Sequence, residues 1–593
     1  MSSEAFIVVQ TVLLVVIISW AKAGLAVWSA IFIAAVVVIG LVGAPLLRRR
    51  ETGGDPEIPW KASLPVLIFA VLGLIGFFNP AFRNPVESSA YGDEEELEVL
   101  AKREFAVSGN PVFLDRVMRE MYFFRLQADP AREKRAELKG LLKVVAVTGT
   151  GELKKKIAEL KKEIPKLAKR ADMDRALARF LLAYRYVSIH HKTAFQPVFN
   201  RYLKDMRVDS TIWLPGTVTK ETSWQPIIDS PWKFSIHRNH MLSLVFLQGI
   251  WVFSYLRNRR SIRWLMGALA LNCVGLAAAG IVQKLSYDPS VHRPEIWGIW
   301  EAPEPRYYFA SFTYKNHWCA YAALGFGILA GLTAHWLRRH PRDMLRGSPV
   351  PLALLGLGIL GASIPLSGSV LGILLILTIG IPFIGFLCRH SLPKSWGWRR
   401  RLISCFVAVL LPASTVWVAL ASDPELKKET LQKVTERWQS LREGRLPWRY
   451  YHSKDSWAMF MDKPLWGWGL GSTPPLYPLY VSEEIIQQSE QVLTHAHHDE
   501  RFFGLEYSHN DWFQYLAETG IGGVGLLVLT PLLALKRIRI SRSFSAWSLL
   551  ACLALMIYSF VDFPSRTPAF LIFFAVTLGC SLKYASRRPG FQD

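Results

Sequence analysis

The chain has 593 residues, of which 51% are hydrophobic, and it carries a formal net charge of +22 at pH 7. Its mean hydropathy is +0.21. Soluble globular chains seldom combine so much apolar content with so much positive charge, whereas polytopic membrane proteins with basic inner loops commonly do. The composition therefore argues against an ordinary soluble enzyme, and no nucleic-acid partner is expected.

Apolar runs long enough to cross about 30 Å of hydrocarbon recur along the whole chain. They lie near residues 6–20, 24–46, 63–78, 240–256, 264–283, 317–336, 402–421, 515–535, 545–561 and 567–583. A further run, 350–387, is too long for one helix, and "PLSGS" at 365–369 predicts two spans joined by a tight turn. The sequence thus predicts an all-α polytopic protein with about twelve transmembrane helices.

Basic connections set the predicted orientation. Lys and Arg cluster in "LRRRE" (47–51), "LRNRRSIR" (256–263), "LRRHPRDMLR" (337–346), "RHSLPKSWGWRRR" (389–401), "KRIRISR" (536–542) and "KYASRR" (583–588). With twelve spans all six clusters fall on one side, which the positive-inside rule makes cytoplasmic, together with both termini. The long connections 79–238, 285–315 and 422–510 then lie outside.

The predicted organisation has five parts. They are three N-terminal helices (1–78), a helical outer insertion (79–238), central helices (239–421), a large outer loop (422–510) and C-terminal helices (511–593). Residues 1–23 resemble a signal peptide ending in "AKA", but Glu4 and the lack of a basic start favour an uncleaved first span. The six cysteines all lie in or beside predicted spans, so no structural disulfide is expected.

The outer insertion has helical patterning. "ELKKKIAELKKEIPKL" spaces its Leu and Ile residues four and three apart, as an amphipathic helix does. Two interpretations remain open: a small bundle with solvated lysines, or a basic surface that receives an anionic polymer or lipid headgroups. "DMD" (172–174) imitates a metal-binding carboxylate pair, but its helical setting points the two side chains apart.

The stretch "EYSHNDWFQYLAETGIGG" (506–523) places polar residues at the outer mouth of a span. Ser508 and Asp511 have the spacing of a capping box, which predicts a helix that starts at His509 with free N–H groups able to bind an anion. The positive helix end would keep His509 neutral and able to accept a proton. Asn510, Gln514 and Glu518 form one polar stripe, which must face protein or a wet cavity. A capped interfacial helix with a satisfied histidine is the structural alternative.

Several Arg and Lys residues are predicted on the same outer side of the membrane as His509. The outer loop carries Arg445 and Arg449 before "PLWGWGLGS", whose glycines at 467, 469 and 471 predict a tightly turning backbone. Arg306 and Lys315 precede another span. Arginine grips phosphate through paired donors, although solvated loop arginines would look the same. Together with a neutral base, these residues predict a phosphate-bearing substrate at the outer leaflet.

Three motifs resemble those of the O-antigen ligase and polymerase superfamily. "SHNDWFQYLAETGIGG" is similar to its H-N-D-x-x-Q-x-x-x-E-x-G element, and "RYYHSKDSWAMFMDKPLWGWGLGS" to its Arg followed by P-L-x-G-x-G. "ASFTYKNHWCAY" resembles its G-T-F-x-N-x-N-H-F-A element, and "WLPGTVTKETSW" (213–224) is a weaker match. The motifs occur in the family order and cover about 290–535.

The resemblance implies a GT-C-type fold and a metal-independent, cofactor-free glycosyltransferase in the bacterial inner membrane, with a periplasmic active site. It implies transfer of a glycan, with inversion, from undecaprenyl pyrophosphate to lipid A–core or another glycan, glycolipid or hydroxyl acceptor. Carried over, His509 is the catalytic base and Arg449 holds the leaving diphosphate, with Arg306, Lys315, Arg445, Asn510, Gln514 and Glu518 as substrate-binding residues. Exopolysaccharide polymerisation is the nearest alternative, since it uses the same donor chemistry.

Two departures from the family pattern stand out: Val370 occupies a position where the family often has Arg, and the insertion 79–238 is unusual. Other classes also fit parts of the sequence. A carrier of lipid-linked glycans would have many spans, but these spans have almost no charge at mid-membrane. "HAHHDE" (495–500) contains metal-ligand residue types, and the insertion suits a non-catalytic scaffold for wall polymers.

Overall fold

The computed structural model describes residues 2–26, 28–49, 60–77, 155–162, 243–286, 295–302, 307–339, 348–391, 448–471, 507–535 and 543–585, with Arg442, Thr473 and Ser482. These residues are mostly helical. The helices are α1 (Ser3–Trp20), α2 (Ser29–Arg48), α3 (Trp60–Phe77), α4 (Leu244–Tyr255), α5 (Arg259–Leu285), α6 (Lys315–Arg339), α7 (Val350–Leu366), α8 (Val370–Ser391), α9 (Trp448–Asp462), α10 (Asp511–Leu535), α11 (Ser543–Tyr558) and α12 (Pro568–Tyr584).

Smaller elements join them. Three-residue 3₁₀ turns occupy Lys22–Gly24 and Pro564–Arg566, and β1 (Glu295–Ile296) pairs antiparallel with β2 (Trp300–Glu301). Of the predicted insertion, only residues 155–162 are described; they are helical, with Ile157 and Leu160 buried as the amphipathic spacing predicts.

The apolar runs form the helices that hydropathy predicts. Within the described residues, six helices are long and apolar enough to cross a membrane: α1, α2, α5, α6, α8 and α10. Five shorter apolar helices lie in α3, α4, α7, α11 and α12. Every predicted span in the described part of the chain therefore coincides with an apolar helix. The predicted span 402–421 lies outside it, so the total of about twelve stays a prediction.

Helix α6 is the centre of the bundle. It packs against α11, α7, α5, α8 and α12, and nearly all of its side chains are buried. Gly327 and Gly331 face Ala551 and the backbone of Phe544 on α11, where an added Cβ would come within 3 Å of its neighbour. Small residues four apart let two membrane helices approach closely, so this pair fixes α6 against α11.

The long apolar run 350–387 divides as predicted. Helix α7 ends at Leu366 and α8 begins at Val370, with Gly368 in the left-handed region at φ 72° between them. A glycine takes this conformation without the steric cost that a side chain would add. The "PLSGS" prediction of two helices and a tight turn is confirmed.

Helix α10 is interrupted nine residues after its start. Gly520 has φ 65° and ψ −173°, a combination that only glycine adopts readily. The loop 464–469 supplies the missing backbone partners. Trp468 N donates to Ala517 O (2.9 Å), Ile521 N to Pro464 O (2.8 Å) and Gly522 N to Leu465 O (3.0 Å). Gly467, Gly469 and Gly471 all have positive φ, which confirms the predicted tight turning of this loop.

Candidate functional site

The start of α10 differs from the prediction. The helix begins at Asp511, and Asn510 caps it, because the Asn510 side-chain oxygen accepts from Phe513 N (3.0 Å). Ser508 does not cap: its hydroxyl donates to Asn510 O (3.0 Å), while its amide donates to Gln514 Oε1 (3.0 Å). The predicted capping box and the helix start at His509 are therefore wrong.

The predicted anion-binding helix end also lacks support. Asp511 N donates to Ser559 O (2.9 Å) at the end of α11, and Phe513 N is used by the cap. The Asp511 carboxylate accepts from the amide and hydroxyl of Ser565 (2.9 and 2.6 Å) instead of reaching back along its own chain. The segment after α11 and the Asn510 cap thus occupy two of the first-turn N–H groups that spacing alone left free.

His509 precedes the helix in a left-handed conformation, with φ 54°. Its ring lies edge-on to Phe563 with centroids 4.6 Å apart, and it stacks with His452 of α9 at 5.9 Å. The Nδ1 atom is buried and has no hydrogen-bond partner within the described residues. A non-glycine residue in this region costs of order 1 kcal/mol or more, and such residues cluster at functional sites.

Burial controls the charge of this imidazole. It lowers the pKa of His509 well below its usual value, and the positive charge of Arg449 lowers it further. This direction agrees with the predicted neutral state, and its main cause is burial rather than the helix end. His452 behaves similarly: burial, with Arg449 second, lowers its pKa to about 4.

Arg449, on α9, belongs to the same cluster as His509 and His452. Its Nη2 donates to the Tyr314 hydroxyl (3.1 Å), and its Nη1 donates to Val561 O and lies 3.5 Å from Asp562 Oδ2. The Arg449 side chain is 27% exposed. The protein therefore holds the guanidinium through these contacts, while part of the Arg449 side chain stays exposed.

Asp562 anchors this arrangement, and sequence reasoning missed it. It is fully buried, and its Oδ2 accepts from Asn316 Nδ2 (2.6 Å) and from the Tyr558 hydroxyl (3.2 Å). Ser369, directly before Val370, donates to Asn316 Oδ1 (2.6 Å). The carboxylate thus links α6, the turn before α8, and α11 to the arginine on α9. The only sequence signal was an acidic residue in the short connection "VDFPSR" between two spans.

His317 is a second missed residue of this cluster. Its Nδ1 hydrogen-bonds with Thr567 Oγ1 (2.6 Å), while its Nε2 is buried without a partner in the described part of the chain. Its ring is perpendicular to Phe563 at 4.6 Å, on the ring that His509 also contacts. The motif "KNHW" at 315–318 contained it, but the sequence analysis drew only Lys315 from that motif.

The polar stripe on α10 is buried, as predicted for a stripe that must face protein. Glu518 accepts from Gln514 (2.9 Å) and Thr473 (2.7 Å), and pairs with Arg566 at 3.1 Å. Asn510 Nδ2 donates to Ser453 of α9 (3.2 Å). These contacts are all within the protein, so the stripe ties α10 to α9 and to the connection before α12.

Of the remaining predicted site residues, the structure describes Lys315. Lys315 is the first residue of α6, where its amide donates to Tyr307 O (2.7 Å). Arg306, Arg445 and the histidine-rich 495–500 lie outside the described residues. Among the described residues, no group of three or more His, Cys, Asp or Glu side chains is arranged to hold a metal ion.

An apolar cavity of about 190 Å³ lies beside this cluster, between α3, α4, α10, α11 and α12. Its lining includes Phe246, Tyr515, Leu527 and Phe574, with Asp511 and Ser565 also in its wall. His509 and Arg449 do not line it.

These features define a mostly helical protein with several helices suited to crossing a membrane and a buried histidine–arginine cluster at one end of the bundle. Residues 353–530 match the family model for O-antigen ligase. The match supports the O-antigen ligase superfamily, which the motifs predicted, and the matched segment includes both Arg449 and His509. No curated protein matches the chain.

Proposed function

We propose that the chain is an O-antigen ligase-like glycosyltransferase of the bacterial inner membrane, with its site at the periplasmic face. It moves a glycan from undecaprenyl pyrophosphate to a hydroxyl of lipid A–core or a similar acceptor. The observation that carries the proposal is the neutral His509 beside the anchored, partly exposed Arg449, inside the segment that matches the family.

In the proposed reaction the acceptor oxygen attacks the anomeric carbon, and the bond from that carbon to the diphosphate oxygen breaks. The acceptor proton passes to the neutral imidazole of His509. The departing diphosphate keeps the electron pair and remains on the lipid, and its developing charge is stabilised by Arg449. Attack opposite the leaving group inverts the anomeric configuration. No metal or cofactor takes part in this scheme.

The other predicted site residues receive supporting roles in this proposal. Gln514 and Glu518 are bonded inside the protein, so we assign them to holding α10 in place. Asn510 couples the helix cap to α9. Arg306, Lys315 and Arg445 remain proposed contacts for substrate phosphate. Tyr314 and Asp562, which bond Arg449, are added as positioning residues.

The first test is transfer by purified protein from an undecaprenyl-pyrophosphate glycan to lipid A–core, with EDTA present. We expect His509→Ala to lower the rate by about 10²- to 10⁴-fold, the usual worth of a general base. Arg449→Ala should lower it by about 10²- to 10³-fold, as loss of one oxyanion-stabilising group does.

Matched controls separate site effects from general ones. His390 and Arg260 are exposed residues at helix ends, and their alanine variants should retain wild-type transfer. Wild-type rates in both His509→Ala and Arg449→Ala would overturn the site assignment. A wild-type protein that is inactive with every acceptor, yet binds the donor, would favour a transporter or scaffold.

Polymerisation is the second candidate, because the superfamily and the donor chemistry are shared. The same assay without lipid A–core distinguishes the two reactions. A ligase leaves the donor glycan at its original length when the acceptor is omitted, whereas a polymerase produces longer lipid-linked chains.

A further inference from the structure

The burial pattern of α9 is inverted for a helix that faces water. Its buried face carries three polar residues, His452, Asp455 and Ser456, beside two apolar ones. The exposed side is largely apolar, and it continues into the loop after the helix. We call these exposed side chains the α9 stripe: Tyr450, Trp457, Met461, Leu465 and Trp466. Lys454 lies on the same side of the helix and is also exposed.

The two ends of α9 contact different positions along the axis of α10. Near its first residues, Ser453 accepts from Asn510 at the mouth of α10, and Arg449 contacts Val561 beyond the end of α11. The loop after α9 bonds instead to Ala517–Gly522 of α10. The segment therefore descends along α10, reaches its lowest point near residue 465, and turns back through its glycines.

The length of α10 places that lowest point inside the hydrocarbon layer that the helix can span. Helix α10 ends at Leu535, directly before the basic cluster 536–542. At 1.5 Å per residue, Gly520 is about 22 Å from Leu535, whereas a hydrocarbon core is about 30 Å thick. Residues bonded to the Gly520 region thus lie about 8 Å inside the boundary, the depth typical of apolar faces of interfacial helices.

The surface beside the loop supports the same environment. Ile521 of α10, a helix long and apolar enough to cross a membrane, is exposed, and its amide donates to Pro464 O, next to Leu465. The α9 stripe therefore continues a surface that a bilayer would cover. Four backbone hydrogen bonds join this irregular stretch to α10, and irregular chain within a membrane needs such partners inside the protein. The long stem of Lys454 allows its ammonium to reach the headgroup region.

We propose that residues 450–466 form a re-entrant element whose α9 stripe contacts the acyl chains of the leaflet around the N-terminal half of α10. This element sets Arg449 and His452 at headgroup depth, while Met461 and Leu465 lie among the upper acyl chains. The proposal concerns membrane placement, and it holds whatever reaction the His509 cluster performs.

The test uses a nitroxide label on full-length protein in phosphatidylglycerol–phosphatidylethanolamine vesicles. Tyr450→Cys, Met461→Cys and Leu465→Cys are labelled one at a time, and collisions with oxygen and with a water-soluble nickel chelate are compared. We expect oxygen to dominate at 461 and 465, and the depth to increase in the order 450, 461, 465. Labelled wild type supplies the background from the native cysteines.

Two variants calibrate the scale. Lys161→Cys, exposed in the described helix 155–162, gives the collision rates expected of a label in water. Leu529→Cys, exposed on α10, gives those expected of a label in hydrocarbon. Ala458→Cys is a second exposed position on α9 if a stripe variant is poorly produced.

Nickel access at 461 and 465 equal to that at 161 overturns the proposal. Shielding from both reagents overturns it in favour of a second copy or other protein, and a flat depth profile overturns the re-entrant path. No glycan substrate is used, so failure of the proposed transferase leaves this result unaffected.

Discussion

Arg449 depends on Asp562, a carboxylate more than a hundred residues away in the chain. Burial raises the pKa of Asp562, whereas the charge of Arg449 and hydrogen bonds from Phe563 N, Asn316 and Tyr558 lower it. The same carboxylate lies 3.5 Å from the guanidinium and orients its inner side. An arginine held in this way can meet a diphosphate without first becoming ordered, which favours charge stabilisation in the transition state.

Asp562→Asn keeps the shape of this anchor and removes its charge. We expect transfer to fall about tenfold to a hundredfold, mainly in kcat, because the guanidinium loses the carboxylate that orients it. Tyr558→Phe is the matched control, since it removes a hydrogen bond to Asp562 without changing charge. Steady-state kinetics of both folded variants make the measurement. Equal kcat in Asp562→Asn and Tyr558→Phe would argue against an orienting charge.

At the scale of one element, α10 depends on Gly520. The backbone conformation there suits only glycine, and an added Cβ would lie 2.4 Å from the carbonyl of Leu465. Gly520→Ala should therefore destabilise the protein by about 1–3 kcal/mol or more, through backbone strain and separation of the 464–469 loop. The measurement is the Tm of detergent-solubilised protein.

Gly525→Ala, five residues further along α10, is the matched control. Nothing lies within 4 Å of its added Cβ. Since alanine is favoured over glycine inside a helix by about 1 kcal/mol, this variant should keep or slightly raise the Tm. A Tm for Gly520→Ala equal to that of Gly525→Ala would contradict the proposed role of the break.

At the scale of the whole molecule, buried histidines make stability depend on pH. Burial lowers the pKa of His452 to about 4, whereas an unfolded histidine titrates near 6.5. Between these values the unfolded chain binds the extra proton, so stability falls as pH is lowered, by at most about 1.4 kcal/mol per pH unit for this histidine. His509 acts in the same direction, and Asp562, whose pKa is raised, acts in the opposite one.

The measurement is the Tm of wild type and of His452→Gln from pH 8 to pH 4. We expect the difference between the two proteins to be constant above pH 6.5 and to shift in favour of His452→Gln as pH falls toward 4. A pH-independent difference would mean that His452 is not held neutral in the folded protein.

Hydropathy was sufficient to predict the helices, but it was not sufficient to predict the residues of the candidate site. Each predicted span in the described residues is an apolar helix because burial and membrane insertion both follow the apolar runs. Arg449 and His509 were predicted together by motif and are brought together. Asp562 and Asn316 were not found, since a polar residue at a span end is ordinary and only the packing of α6 against α11 makes them meet. The helix start was misplaced because Ser508 bonds locally to Gln514 and the Asn510 side chain makes the cap, which the spacing of Ser508 and Asp511 does not reveal.

The break at Gly520 has a mechanical consequence for a protein that meets bilayers of different thickness. A continuous helix answers hydrophobic mismatch by tilting along its whole length, so both of its ends move. Here the first nine residues of α10 are tied to α9 and to Arg566, and the backbone break, bonded to the 464–469 loop, lies below them. We expect the lower segment 523–535 to absorb changes in tilt, which insulates the separation of His509 and Arg449 from the lipid composition around the protein.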